Sequence, residues 1–236
     1  MRVRPWPRAL HGALSALLAL GSLAHAGEPP APDTMKFLAL GDSYTIGEGV
    51  VEAGRWPVQL ARALRAEGVA LDEPRIIATT GWTTDELSAA IDAAEPLGTF
   101  AFVSLAIGVN NQYRGRGADE YRGEFAQLLE RAIGFAGGRA DRVLVLSIPD
   151  WGATRFGAES GRDLDQVARD LDAYNAIARE VCSARGVAFV DVAPVSRVRG
   201  GETTMLADDG LHPSAAMYAE WTRLALPAAR KTMVTP

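Results

Sequence analysis

The chain has 236 residues, 48% of them hydrophobic and 22% charged, with 24 Lys and Arg against 29 Asp and Glu. This balance suits one sizeable core, and neither Pro nor Gly is enriched enough to indicate disorder. A formal charge of −5 is poorly suited to holding nucleic acid or an anionic membrane through net charge.

The first segment reads as an address rather than as structure. Arg2, Arg4 and Arg8 give a basic start, Ala9 to Ala26 is almost wholly apolar or small, and the run closes on Ala24-His25-Ala26. Together these features describe a secretory signal peptide over residues 1–26. An uncleaved anchor is the rival reading, although His11, Gly12 and Ser15 interrupt a run already short for a span. Cleavage after Ala26 leaves 21 basic against 29 acidic residues, a formal charge of −8, and makes His212 the only histidine. No later stretch is long and apolar enough to cross a bilayer, so the mature protein is expected to be exported and soluble, periplasmic or secreted.

Residues 27–34 (GEPPAPDT) form a Pro-rich lead-in, and residues 35–236 are read as a single domain. Phe37 to Leu40 is a short apolar run ending at Gly41-Asp42-Ser43, the pattern of a buried strand. Helical spacing covers Trp56 to Ala66, a strand is predicted over Arg75 to Ala78, and a helix runs from Asp85 to Ala94 with Thr84 or Asp85 as cap. Phe100 to Ile107 is the clearest buried strand. An amphipathic helix follows over Ala118 to Phe135, ended by Gly137-Gly138. Strands at Arg142 to Ile148 and Val187 to Val192 flank a helical segment from Asp163 to Arg185, and a last helix spans Ser214 to Lys231. Such alternation predicts one α/β domain around a mostly parallel sheet. In such sheets the functional residues lie beyond the carboxyl ends of the strands.

Four segments meet that condition or sit in the final loop: Gly41-Asp42-Ser43-Tyr44, Thr80-Gly81-Trp82, Gly108-Val109-Asn110-Asn111 and Asp209-Gly210-Leu211-His212-Pro213. Their chemistry is complementary. A serine hydroxyl is a weak nucleophile unless a base takes its proton, and imidazole titrates near neutrality. Asp209, three residues before His212, is spaced to turn its carboxylate back onto the ring. The Asn110 amide and the N–H groups of Gly81 and Ser43 are candidate donors to an oxyanion.

Each residue also has a plainer reading. Ser43 alone is a cap or turn residue, and Asp209-Gly210 a turn with Pro213 as the first helical residue. Gly81 serves backbone conformation, and Asn111 is an ordinary loop residue. Tyr44, Trp82 and Trp151 are candidates to line a substrate cleft; for Trp82 and Trp151, which each follow a predicted strand, core packing is the rival reading. Asp150 reads as a turn residue, and Asp163, Asp165, Asp170 and Asp172 as a solvated helix face rather than a metal site. Cys182, the sole cysteine, lies in a helical stretch and reads as a small buried residue.

Taken in order over residues 36–230, the segments GDSY, Gly81, GVNN and DGLHP resemble the blocks of the SGNH hydrolases, also called GDSL-type esterases and lipases. The resemblance implies a three-layer α/β/α sandwich with a flavodoxin-like sheet. It also implies hydrolysis of acyl esters or thioesters without a metal or other cofactor. Carried over, Ser43 is the nucleophile, Gly81 and Asn110 complete the oxyanion hole, and Asp209 and His212 finish the triad. Tyr44 stands in place of the family's leucine and Asn111 in place of a frequent aspartate, which leaves the acyl pocket undefined. The pocket walls are expected from loops 44–56, 111–118 and 149–162. Substrates consistent with this reading are small-molecule, lipid or carbohydrate acyl esters, with an O-acetyl carbohydrate esterase as the rival. An acyltransferase and a non-catalytic carbohydrate-binding protein are the further alternatives.

Overall fold

The computed structural model describes residues 34–234, so the signal reading of residues 1–26 and the lead-in before Thr34 lie outside the described residues. Five strands form one parallel sheet: β1 (Phe37–Gly41), β2 (Arg75–Ala78), β3 (Phe102–Ala106), β4 (Val143–Leu146) and β5 (Ala188–Val190), in the order β2-β1-β3-β4-β5. Every residue of β1, β3 and β4 is buried, as expected for continuous apolar runs covered on both faces. Pairing is in step across the centre, with Leu38 opposite Val103 and Leu40 opposite Leu105.

The helices are α1 (Ser43–Ile46), α2 (Trp56–Ala66), α3 (Thr84–Ala94), α4 (Val109–Tyr113), α5 (Ala118–Phe135), α6 (Arg155–Glu159), α7 (Leu164–Arg185), α8 (Ala193–Arg199) and α9 (Ala215–Val234). Their placement follows from the strand order. The chain moves one way from β1 to β2 and the other way through β3, β4 and β5. Right-handed crossovers therefore put α2 on one face and α3, α5 and α7 on the other. The packing agrees, with α2 against α9, and α5 between α3 and α7. Trp56, Leu60 and Leu64 recur every four residues on α2, and Met217, Trp221, Ala225 and Ala229 do so on α9, all buried. This spacing gives each helix one continuous apolar stripe.

Local signals differ from the sequence reading at two helix starts. Thr83, not Thr84 or Asp85, caps α3, in a capping box with Glu86. It precedes the helix in an extended conformation, which is what a cap requires. The last helix starts at Ala215 rather than at Pro213, because Pro213 pairs with Leu206 in an isolated antiparallel bridge. Asp163 caps α7 by accepting the N–H of Gln166, and Cys182 is fully buried on that helix, where burial pushes its thiol up to about 12. No described helix is long and apolar enough to cross a membrane.

The order β2-β1-β3 reverses direction at β1 and β3, and a crevice opens beyond the carboxyl ends of strands at such a point. Ser43 follows β1 there, and Asn110 follows β3.

Candidate active site

Ser43 is the first residue of α1, with only Asp42 between it and the buried end of β1. Asp42 caps this short helix by accepting the N–H of Tyr44 at 3.0 Å, and Thr45 and Ile46 close the turn on the Asp42 carbonyl. The Ser43 N–H therefore falls in a first helical turn, where no intrahelical acceptor exists. Burial raises the Asp42 carboxyl to about 7, against the lowering effect of the Tyr44 N–H. Burial, followed by the carboxylates of Asp42, Asp209 and Asp150, pushes the Tyr44 phenol up as well, so it stays neutral. The Tyr44 ring centre lies 5.5 Å from that of His212.

The imidazole comes from a loop held at both ends. Besides the Leu206–Pro213 bridge, Ala207 donates to the His212 carbonyl at 2.7 Å, and Gly210 donates to the Ala207 carbonyl at 3.0 Å. Inside this loop Asp209 accepts the N–H groups of Leu211 and His212 through Oδ1, at 2.9 and 3.0 Å. Its Oδ2 lies 2.5 Å from His212 Nδ1. A carboxylate at Nδ1 places the proton there and leaves Nε2 as the basic nitrogen. Burial works to raise the Asp209 carboxyl, but the His212 ring and the two N–H donors outweigh it and hold it below the ordinary value. Gly210 has φ +70°, and a Cβ there would come within 2.5 Å of Arg155 Nε. Arg155 in turn donates to the Asp208 carbonyl, and the N–H of Phe156 donates to that of Gly210.

A cleft of about 220 Å³ gathers Ser43, Gly81, Asn110 and His212 on its polar side. Its apolar walls include Tyr44, Tyr113, Trp151, Phe156 and Leu211. Asn110 spends one amide N–H on the Trp82 carbonyl at 2.9 Å, which orients the side chain and leaves its second N–H free of that bond. Trp151 is nearly fully buried and anchored by Nε1 to Gln112 at 3.0 Å. Tyr113 meets it edge-on at 5.4 Å.

Of the three aromatic residues considered for the cleft, Tyr44 and Trp151 line it and Trp82 does not. The Trp82 ring packs against the hydrophobic core, while its carbonyl holds Asn110. Asn111 is fully buried and accepts the N–H of Thr84 at the start of α3, so its exchange for aspartate does not shape the pocket. Asp150 is more than a turn residue. It caps the turn at Trp151–Ala153 and accepts Arg197 Nε at 2.7 Å. The walls Tyr113 and Phe156 were not singled out in sequence, although both fall in loops expected to form the pocket. Thr80, also in the lining, stood inside a segment already noted.

The sequence profile of the GDSL-like lipase/acylhydrolase family matches residues 39–220. The chain belongs to this family. It is accordingly a hydrolase acting on ester bonds, and the matched region includes every segment that meets at the cleft. The structure of TesA is similar with a TM-score of 0.67 at 20% identity, covering 84% of this chain and 99% of that one. A lipase/acylhydrolase from Enterococcus faecalis gives 0.62 at 21% identity, covering 84% and 96%. The acetylxylan esterase Axe2 from Geobacillus stearothermophilus gives 0.63 at 19% identity, covering 83% and 94%. At these identities the likeness is one of fold. No curated protein matches the chain in sequence.

Proposed function

We propose that this GDSL-like hydrolase cleaves carboxylic esters by acyl transfer to Ser43. The observation that supports this most is the His212 Nδ1 to Asp209 Oδ2 contact of 2.5 Å at the edge of a cleft shared by His212 and Ser43. In the first step Ser43 Oγ attacks the acyl carbon while His212 Nε2 takes its proton. The oxyanion is met by N–H groups of Ser43, Gly81 and Asn110. His212 then gives the proton to the departing alcohol, leaving an acyl-enzyme. Water attacks the acyl-enzyme as His212 takes a second proton, and collapse releases the acid and restores the Ser43 hydroxyl. Asp209 stabilises the imidazolium in both steps.

The substrate favoured by the cleft is an ester of a short acyl group. A volume of about 220 Å³ walled by Tyr113, Trp151 and Phe156 supports this, because close-packed aromatic walls leave little depth for a long chain. An O-acetyl group on a carbohydrate belongs to this class, and the fold likeness to an acetylxylan esterase is consistent with it. The reading also takes residues 1–26 as an export signal, tested by the N-terminal mass of the protein recovered from the periplasm or medium.

The deciding experiment is hydrolysis of a p-nitrophenyl ester series, acetyl to long chain, by wild type and Ser43→Ala. Turnover that is highest on short chains and vanishes in the variant supports the reading. Full activity in purified Ser43→Ala protein overturns it.

A further inference from the structure

The direction of the Gly81 N–H depends on the conformation and placement of one tight turn, and the structure shows which side chains anchor that turn. Trp82 donates its N–H to the Thr79 carbonyl at 3.3 Å, which makes residues 79–82 a β-turn with Thr80 and Gly81 at its centre. Gly81 has φ +88°, and no described non-glycine residue has positive φ. The turn is therefore type II, since the other type with positive φ at its third residue also needs it at the second. Types I and II share their ends and differ by rotation of the central peptide through about 180°. That peptide bears the Gly81 N–H, so a type I turn would aim this donor to the opposite side.

Three side chains from two parts of the chain grip the turn, Glu48 from one and Asn110 and Arg114 from the other. The Thr80 hydroxyl donates to the Glu48 carboxylate. Asn110 donates to the Trp82 carbonyl. Between them, Arg114 Nη2 donates to the Gly81 carbonyl at 2.6 Å, and its Nη1 lies 3.2 Å from Glu86 Oε1. Glu86 is fixed in turn, because its other oxygen accepts the N–H of Thr83 at 2.9 Å in the α3 capping box. Arg114 closes α4 by donating its N–H to the Asn110 carbonyl at 3.0 Å, so the two side chains on successive carbonyls come from one helical turn. A guanidinium presents several donors in a rigid plane, which suits it to join a carbonyl and a carboxylate at once. Arg114 is not part of the cleft lining.

We propose that Arg114, braced by Glu86, is a positioning residue that holds the 79–82 turn with the Gly81 N–H aimed at the oxyanion. This rests on the reading of Gly81 as an oxyanion donor. A donor that acts on developing charge affects the transition state more than the bound ester, so its misplacement lowers kcat and spares KM.

The test compares wild type, Arg114→Ala, Arg114→Lys and Glu86→Gln on a short p-nitrophenyl ester. Inhibition by a small alkylboronic acid, which forms a tetrahedral adduct with a serine nucleophile, supplies a second readout, and Ser43→Ala is the control. In Arg114→Ala, kcat is expected to fall about tenfold, less than the loss of a donor itself, with KM unchanged and boronate affinity weakened by the same factor. Arg114→Lys and Glu86→Gln are expected to fall between this variant and wild type. They also carry the test if Arg114→Ala does not fold. Unchanged kcat and boronate affinity in the folded Arg114 variants, with wild-type turnover still lost in Ser43→Ala, would overturn the role of Arg114 alone. A fall in thermal stability with both kinetic readouts unchanged would do the same. Wild-type turnover that survives in Ser43→Ala would instead remove the underlying reading, and the role of Arg114 with it.

Discussion

His212 Nδ1 lies 2.5 Å from one oxygen of Asp209 while the other oxygen of that carboxylate accepts the N–H groups of Leu211 and His212. One side chain thus shapes the loop and orients the ring. Asp209→Asn keeps an oxygen for the backbone and removes the charge at Nδ1. Its kcat on a short ester is expected to fall about a thousandfold or more, with the loop still formed. The Asp209 carboxyl is held below its ordinary value of 3.8, so its stabilising contribution is present above about pH 4 and is lost as pH falls through the folded value. Urea unfolding of Asp209→Asn should therefore show a shallower loss of stability below about pH 4 than wild type.

Asp42 works in the opposite sense. Burial raises its carboxyl from 3.8 to about 7, so between those values the folded chain binds a proton that the unfolded chain does not. Stability from this group falls as pH rises through that window and levels off above it. From pH 5 to pH 8 the wild type is expected to lose roughly 3 kcal/mol through Asp42. Asp42→Asn, which keeps an acceptor for the Tyr44 N–H, should lack that part of the slope in urea unfolding at the two pH values.

Gly81→Ala separates conformation from space. The nearest atom to a Cβ at this position is Arg114 Nη2 at 3.8 Å, an ordinary contact, so the only penalty is backbone strain at φ +88°. That strain costs about 1–2 kcal/mol, which the chain can relieve by turning the central peptide. Thermal unfolding should shift by a few degrees, about 2–4 °C for a chain of this size per kcal/mol, while kcat falls about a hundredfold. A loss of stability with kcat intact would show that the Gly81 N–H takes no part in the reaction.

Phe156 sets the depth of the cleft more adjustably than Trp151, which is nearly fully buried and bonded to Gln112. Phe156→Ala is expected to raise the ratio of hexanoate to acetate turnover about tenfold. The same ester series read as kcat/KM checks it. An unchanged ratio would place the acyl group elsewhere in the cleft.

The long helices were legible from their period, and the strands from short apolar runs between punctuating residues. Trp56–Ala66, Arg75–Ala78 and Ala118–Phe135 have the bounds that apolar spacing and punctuation suggest. The short helices α1, α4, α6 and α8 were not, since four to seven residues hold too little of a 3.6-residue period. Much of the cleft is built on those short pieces. Ser43, Asp209 and His212 could be paired by chemistry and spacing, whereas Tyr113 and Phe156 depend on contacts distant in sequence. Arg162, for example, lies 4.2 Å over the Tyr113 ring and donates to its carbonyl. Trp82 illustrates the same limit. Its position after a strand left cleft wall and core packing equally open, and only the packing shows the ring against the core and the carbonyl bonded to Asn110.

The strand order has a consequence for assembly. Ser43 follows the second-to-edge strand β1, and the loop bearing His212 leads into α9, which packs back onto α2. Ser43 and His212, the proposed nucleophile and base, are 169 residues apart, and bringing together groups of that separation carries a loop-closure cost that local contacts do not. In the proposed reading, the base reaches Ser43 only once the segment carrying His212 has closed onto the sheet, so the two halves of the site are assembled by the fold rather than by one local motif.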